Sequence, residues 1–299
     1  MMFSILIPSF QRPIQILACL RSIAKVNYLA GEFEVIVIDD GSEPPLAEHI
    51  AMDEFRYSLK LLRQKNAGPG AARNEGASQA KGRWLAFCDD DCLPSQEWLK
   101  GLQSALEAAP EALVGGFTLN GCGDNIFAVA NQLLIDSVCD WFSKFAPELL
   151  FYPSNNFACD RLLFLRLGGF DSNFSLAAGE DREFCARWMA SGGKLLRQTE
   201  AVLHHRHPQT LGKFTEMHFR YGRGAALLHS ITPISTMQRT RVYLYIRLLT
   251  DPLRKLPVQR ALLAIPLLAW SQWISALGYA YQHFVRRSSS SKSRSRSRT

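Results

Sequence analysis

The chain has no Cys-x-x-Cys pair; its seven cysteines stand singly at 19, 88, 92, 122, 139, 159 and 185. An odd count at irregular spacing excludes a disulfide framework and a zinc ribbon, and leaves thiols in a reducing compartment as the expected state. Met1 to Phe10 has no basic residue and only a short apolar run before Pro8. It reads as a first strand rather than a signal peptide. There is no internal repeat, no Gly-x-Gly-x-x-Gly and no P-loop. Residues 261–285 lack Asp, Glu, Lys and Arg altogether, and 286–299 hold six basic residues and no acidic one.

The net charge of +7 is unevenly spread. Residues 201–260 carry ten basic and two acidic side chains, so the first 200 residues sum to −7. An acidic front and a basic rear place a surface interaction at the rear.

Over residues 1–120, short apolar runs alternate with helical stretches. Phe3–Ile7, Phe33–Ile38, Leu59–Leu62 and Trp84–Cys88 read as strands; 13–26, Pro69–Ala80 and Gln96–Ala108 have helical spacing. Strands apolar throughout predict an α/β fold with a mostly parallel sheet covered on both faces, where ligands bind at strand carboxyl ends. Residues 121–178 look less regular. A helix is expected from Gly179 to about Ala190, a last strand at Ala201–His205, and basic amphipathic segments to about Arg260. The expected organisation is a domain over 1–210, a basic amphipathic helical segment over 211–260, an apolar helix over 261–285 and a disordered Ser/Arg tail over 286–299.

Chemistry concentrates at strand ends. Asp89-Asp90-Asp91 follows an apolar strand, and three adjacent carboxylates ionise together most readily around a cation. Oxygen ligands select Mg²⁺ or Mn²⁺; alone, the triplet could equally be a solvated turn, or Asp91 a helix cap. Asp39-Asp40-Gly41-Ser42 ends the second strand, where a carboxylate can accept from a nucleobase N–H or simply make an Asp-Gly turn. Asn66 to Asn74 leads into a helix through two glycines, with Arg73 in its early turns, a weak phosphate signal. Gly179-Glu180-Asp181 begins a helix: Asp181 is either a general base for an acceptor hydroxyl or a first-turn acid on the helix dipole. Among His204, His205 and His207, alternation puts the last two on one face, which favours His205 as a metal ligand and His207 second.

Taken in order, FSILIPSFQRP, VIVIDDGS, NAGPGAARNEG, GRWLAFCDDDCLP, SNNFACDR, GGFDSNF and GEDREFCARW resemble the family 2 glycosyltransferases of the GT-A fold, over about Phe3 to His207. The resemblance implies a Rossmann-like mixed sheet flanked by helices, with a C-terminal helical membrane-associating extension. It implies inverting transfer of a sugar from a nucleotide-sugar donor, a UDP-sugar first, to a hydroxyl of a carbohydrate or lipid-linked acceptor, with Mg²⁺ or Mn²⁺. In it, Pro8, Ser9 and Asp40, with Asp39 as alternative, line the nucleoside pocket, and Asn66 and Arg73 serve the donor. Asp89 and Asp91 hold the metal, with Asp90 between them and His205 as a further ligand. Asp181 is the base, and Asn156, Gly169, Phe170, Asp171 and Glu180 shape the sugar and acceptor region. Gln11-Arg12-Pro13 departs from the family, where Asn is commoner after the first strand. A nucleotidyltransferase or a non-catalytic binding protein on the same fold are the alternatives.

The apolar stretch 261–285 is long enough to span a bilayer, but Pro266, Ser271, Gln272, Ser275 and Gln282 weaken that reading. A helix in the membrane interface, or a shallow hairpin, at the cytoplasmic face fits its Trp and Tyr content and basic flanks; the alternative is a buried helix packed on the catalytic domain or in a dimer. No aromatic-basic platform accompanies the Arg-Ser tail, so nucleic acid is not an expected partner.

Overall fold

The computed structural model describes residues 1–174, 178–231, 246–248 and 250–296, with side chains as far as Arg286. Part of the expected amphipathic segment (232–245 and 249) and the last three residues of the expected tail lie outside them. The chain divides into two units. The first comprises Met1–Cys122, Pro147–Ser175 and Glu180–His207; the second Gly123–Ala146, Leu176–Gly179 and Pro208–Thr299.

The first unit is built on one eight-stranded sheet. Its strands are β1 (Phe3–Ser9), β2 (Phe33–Asp39), β3 (Ser58–Arg63), β4 (Trp84–Cys88), β5 (Cys92–Pro94), β6 (Ala112–Asn120), β7 (Asn156–Asp160) and β8 (Lys194–His205). They stand in the order β3-β2-β1-β4-β7-β6-β8-β5. β1 pairs in parallel with β2 and β4, and β2 with β3; β7 runs antiparallel to β4 and β6, and β5 antiparallel to β8. Every residue of β1, β2 and β4 is buried, as unbroken apolar runs demand when both faces are covered.

The helices of this unit are α1 (Pro13–Ile23), α2 (Pro69–Ser78), α3 (Trp98–Ala108), α5 (Arg161–Arg166) and α6 (Glu180–Ala190); α4 (Ile126–Phe145), α7 (Leu211–Ile231) and α8 (Val258–Arg296) belong to the second. One core contains Phe3, Ile16, Val35, Trp84, Trp98 and Leu102. Elsewhere in the unit Phe87, Phe157, Phe164, Phe170 and Phe184 pack ring on ring, with centroids 4.7–6.3 Å apart.

Three expectations need correction. The stretch 121–178 contains α4, a twenty-residue helix whose cap, Asn125, accepts from the Ala128 N–H at 2.9 Å. β8 begins at Lys194, seven residues before the strand expected at Ala201, because its first half is a polar, largely exposed segment without an apolar signal. α8 runs on to Arg296 through the Ser/Arg stretch expected to be disordered; that stretch has no Pro or Gly to stop a helix.

Candidate active site

Strand order reverses at β1: the chain moves outward to β2 and β3, then returns to place β4 on the other side. At such a switch point the loops after the two central strands diverge and leave a crevice at their carboxyl ends. β1 ends at Ser9 and the loop after it carries Arg12, and the loop after β4 carries Asp89, Asp90 and Asp91. They meet directly. The Ser9 hydroxyl donates to Asp90 at 2.7 Å, and Arg12 Nη1 donates to Asp90 at 3.0 Å and to Asp91 at 2.9 Å. Arg12 thus sits between two buried carboxylates that would otherwise repel one another. Burial pushes the Asp90 carboxyl up to about 6, against the pull of Arg12. Burial also works to raise Asp91, but His205, His207 and Arg12 outweigh it and hold that carboxyl well below the ordinary range.

Asp91 also meets the end of β8. β5 pairs with β8 so that Cys92 lies opposite His205, and the Arg206 N–H donates to the Asp91 carbonyl at 2.7 Å. Alternation then turns His205 and His207 to the same side, with rings 5.5 Å apart. His207 Nδ1 lies 2.8 Å from Asp91 Oδ2 and His205 Nε2 3.1 Å from Oδ1. The buried Oδ1 has no aligned hydrogen bond. One ligand atom from each of Asp91, His205 and His207 falls within 4.8 Å of the others. A buried carboxylate oxygen left over, facing two imidazoles, fits a divalent cation. His207, ranked second from sequence, stands in this group beside His205.

Asp89 faces elsewhere. Its carboxylate accepts from Arg73 Nη2 at 2.6 Å, and Arg73, 3% exposed, sends Nη1 to within 3.5 Å of Glu180 Oε1. Burial disfavours the Arg73 charge, but Asp89 and Glu180 outweigh it and raise its pKa. The first turn of α6 is therefore tied to the acidic turn through one guanidinium. Glu180 is buried, and burial first, then the neighbouring Asp181 charge, push it from an ordinary 4.5 up to about 8. Asp181 is half-buried and accepts from the Arg182 N–H at 2.8 Å; burial raises its pKa too. Asn155 Oδ1 is buried without a hydrogen bond.

The other expected residues are busy within the fold. Asp39 accepts from the Ser42 and Leu46 N–H groups, and Asp40 from Gln64 Nε2 and the Ala67 and Gly68 N–H groups, at 2.7–3.0 Å. The two carboxylates hold the loops after β2 and β3 at the same sheet edge as the acidic turn. Pro8 is buried in β1, and Asn66 is exposed. Asn156 is 2% exposed, accepts from Trp98 Nε1 at 2.9 Å and reaches Thr118 and the Ala201 carbonyl at 3.3 Å. Gly169, at φ +65°, would place a Cβ 2.3 Å from Asn74 Oδ1. Asn74 exchanges two 2.8 Å hydrogen bonds with the Phe170 backbone, and the Phe170 ring is inside the aromatic cluster. Asp171 closes its own turn on Asn173 at 2.9 Å. Sequence reasoning missed Arg12, visible there only as a departure from the family, and Asn155.

The family model for Glycosyl transferase family 2 matches residues 4–170. The chain is 30% identical over 204 residues to a pre-mycofactocin glycosyltransferase of Mycobacterium tuberculosis, covering 65% of this chain and 42% of that protein. It is 35% identical over 115 residues to the glycosyltransferase AglE of Haloferax volcanii, covering 38% of each. The match thus spans about two fifths of the length of these relatives. A mannosyltransferase of Pyrobaculum calidifontis, solved with GDP-Man and Mn²⁺, has a TM-score of 0.64 at 16% identity, over 93% of this chain and 87% of that one. TarS of Staphylococcus aureus, solved with UDP-GlcNAc, has a TM-score of 0.57 at 17% identity, over 96% and 92%. At these identities the likeness is one of fold, and it is the mixed sheet with flanking helices expected of GT-A proteins.

Proposed function

This chain belongs to glycosyl transferase family 2, and from that premise we propose that it transfers a sugar from a nucleoside-diphosphate sugar to an acceptor hydroxyl, with inversion. The observation that carries the reading is the tie from Asp89 through Arg73 to Glu180, which joins a cation-competent acidic turn to the Glu180–Asp181 carboxylates.

Asp91, His205 and His207 would hold a divalent cation, which would supply charge neutralisation for a departing nucleoside diphosphate. Two imidazoles beside one carboxylate suit Mn²⁺ better than Mg²⁺, which prefers oxygen alone. Arg12 and Arg73 add fixed positive charge around the same turn. In the Glu180–Asp181 pair, a proton retained by Glu180 at neutral pH leaves the negative charge to Asp181. Its raised pKa brings that carboxylate closer to the operating pH, as a base for an acceptor hydroxyl requires. The donor is taken to be a UDP-sugar and the acceptor a carbohydrate or a lipid-linked saccharide.

The test is a thermal-shift panel of UDP, GDP and other nucleoside diphosphates with and without Mn²⁺, followed by product analysis with the donor that binds. Stabilisation by one diphosphate only when Mn²⁺ is present, and release of that diphosphate on transfer, is the expected result. Release of pyrophosphate instead, or no binding to any diphosphate, would reject the reading.

A further inference from the structure

The second unit contains a helix that is apolar on the wrong side for a water-soluble protein. Val258–Arg286 is long and apolar enough to cross a membrane by length and composition. Within it, the side chains facing the rest of the unit are Ala261, Ala264, Leu268, Ser271 and Ile274, all buried, so one face is already partnered. Ser271 is fully buried, and Ser275 donates to the His218 carbonyl at 3.1 Å. Gln282 accepts from Arg223 at 2.9 Å. Gly278 lies so near α7 that a Cβ there would stand 2.1 Å from the Phe219 carbonyl. The opposite face is apolar as well. Leu262, Trp270, Trp273, Leu277, Tyr281 and Phe284 are all exposed, Trp273 by 61% and Phe284 by 73%. Their spacing of three, four and eight residues keeps them on one face. A water-facing helix carries charged or polar residues on that face.

Two further observations say what meets this face. Cations frame it: Arg254, Lys255 and Arg260 are exposed at one end, Lys255 3.7 Å from Asp140 and Arg260 2.9 Å from Asp124, and Arg286 is exposed at the other. That pattern complements anionic headgroups. The neighbouring helix then decides the orientation. α7 runs alongside α8, with Thr215 hydrogen-bonded to Trp270 at 3.0 Å and Arg223 to Gln282 at 2.9 Å. Lys213, Glu216, Arg220 and Arg223 of α7 therefore lie beside the middle of the apolar stretch. From Leu262 to Phe284 the helix is roughly 33 Å long, enough to cross the hydrocarbon. Crossing would carry those four charges into it, where each is strongly disfavoured.

We infer that α8 lies in the plane of an anionic membrane surface, its Leu262–Phe284 face in the headgroup–acyl boundary and α7 on the water side. The helix is an interfacial anchor and not a span. This goes beyond the transferase reading and stands whether or not that reading holds.

The test uses the full chain and sealed vesicles of phosphatidylcholine, with and without phosphatidylglycerol. Flotation should bring the protein up with the vesicles, at least tenfold more with phosphatidylglycerol present. A triple variant, Trp273→Gln, Leu277→Gln and Phe284→Gln, should lose at least tenfold of that binding; these residues are exposed, so its circular dichroism should match the wild type. Arg260→Cys and Arg286→Cys, made singly, should both react with a membrane-impermeant maleimide added outside the vesicles. Reaction at one end only, with the other appearing after detergent, would establish a span and overturn the inference. So would a chain that stays off vesicles of either composition, or a triple variant that floats like the wild type. A chain that stays off vesicles but dimerises in solution, with the triple variant monomeric, would assign the face to a second copy.

Discussion

Arg73 and Asp89 are joined at 2.6 Å, and the same guanidinium reaches 3.5 Å from Glu180. One buried cation thus lies between an acidic turn and a helix ninety residues away in sequence. Replacing it should be expensive. For Arg73→Met we expect a loss of about 3–5 kcal/mol, the range for breaking a buried pair, measured by urea denaturation. The added change Asp89→Asn should recover part of it by removing the stranded carboxylate. A single variant as stable as the wild type would mean that the tie is dispensable.

Asp181→Asn should leave the fold and diphosphate binding intact while transfer falls by about 10²-fold or more. Turnover under saturating donor is the measurement; undiminished turnover would move the base elsewhere.

Asp91→Asn should remove Mn²⁺-dependent stabilisation by a diphosphate, and His205→Ala and His207→Ala should each weaken it. The stabilisation is RT ln(1 + [L]/Kd), so at a ligand concentration of 100 Kd a hundredfold loss in affinity lowers it from about 2.7 to about 0.4 kcal/mol. Manganese titration followed by melting temperature reads this directly. Equal metal affinity in all three variants would place the cation outside this group.

Glu180 predicts a pH signature. Its carboxyl moves from 4.5 to about 8 on folding, so between those values the folded chain holds a proton that the unfolded chain has released. That contribution is fully present below about pH 4.5 and is lost as pH rises through about 8. Wild-type stability should therefore decline from pH 5 to 8 more steeply than that of Glu180→Gln, which has nothing to titrate at this position. Parallel curves from chemical denaturation would show that Glu180 is ionised throughout.

Asn156 and Gly169 should behave as residues of structure. Asn156→Ala strands Trp98 Nε1 in the core, a loss of about 1–3 kcal/mol. Gly169→Ala forces a side chain into the left-handed region against Asn74, of similar size. In both, the activity per folded molecule should stay near that of the wild type; a selective rise in acceptor KM at full stability would return them to the acceptor site.

The parallel half of the sheet was legible because β1, β2 and β4 are buried on both faces, and nothing but a continuous apolar run serves there. The acidic turn was legible for a related reason: charge directly after such a run has to sit at a strand end. α4 was legible but overlooked: Gln132, Asp136, Asp140 and Ser143 recur at three- and four-residue spacing among apolar residues, the stripe of an amphipathic helix. The partition among the three aspartates was not legible. Which one meets Arg73, which Ser9 and which the histidines depends on the β5–β8 pairing and on a strand order that no local pattern records. Arg12 was seen only as an oddity because its partners lie some eighty positions downstream.

The pairing of Cys92 with His205 has an evolutionary corollary. Side chains along β8 alternate with a period of two, so one residue gained or lost just before His205 would swing both imidazoles to the opposite side of the sheet. Every letter of the candidate ligand set would survive in the sequence, and an alignment would score it as intact, while the grouping of Asp91 with the two histidines was gone. Relatives with an insertion at this edge are the place to look for members that have abandoned metal.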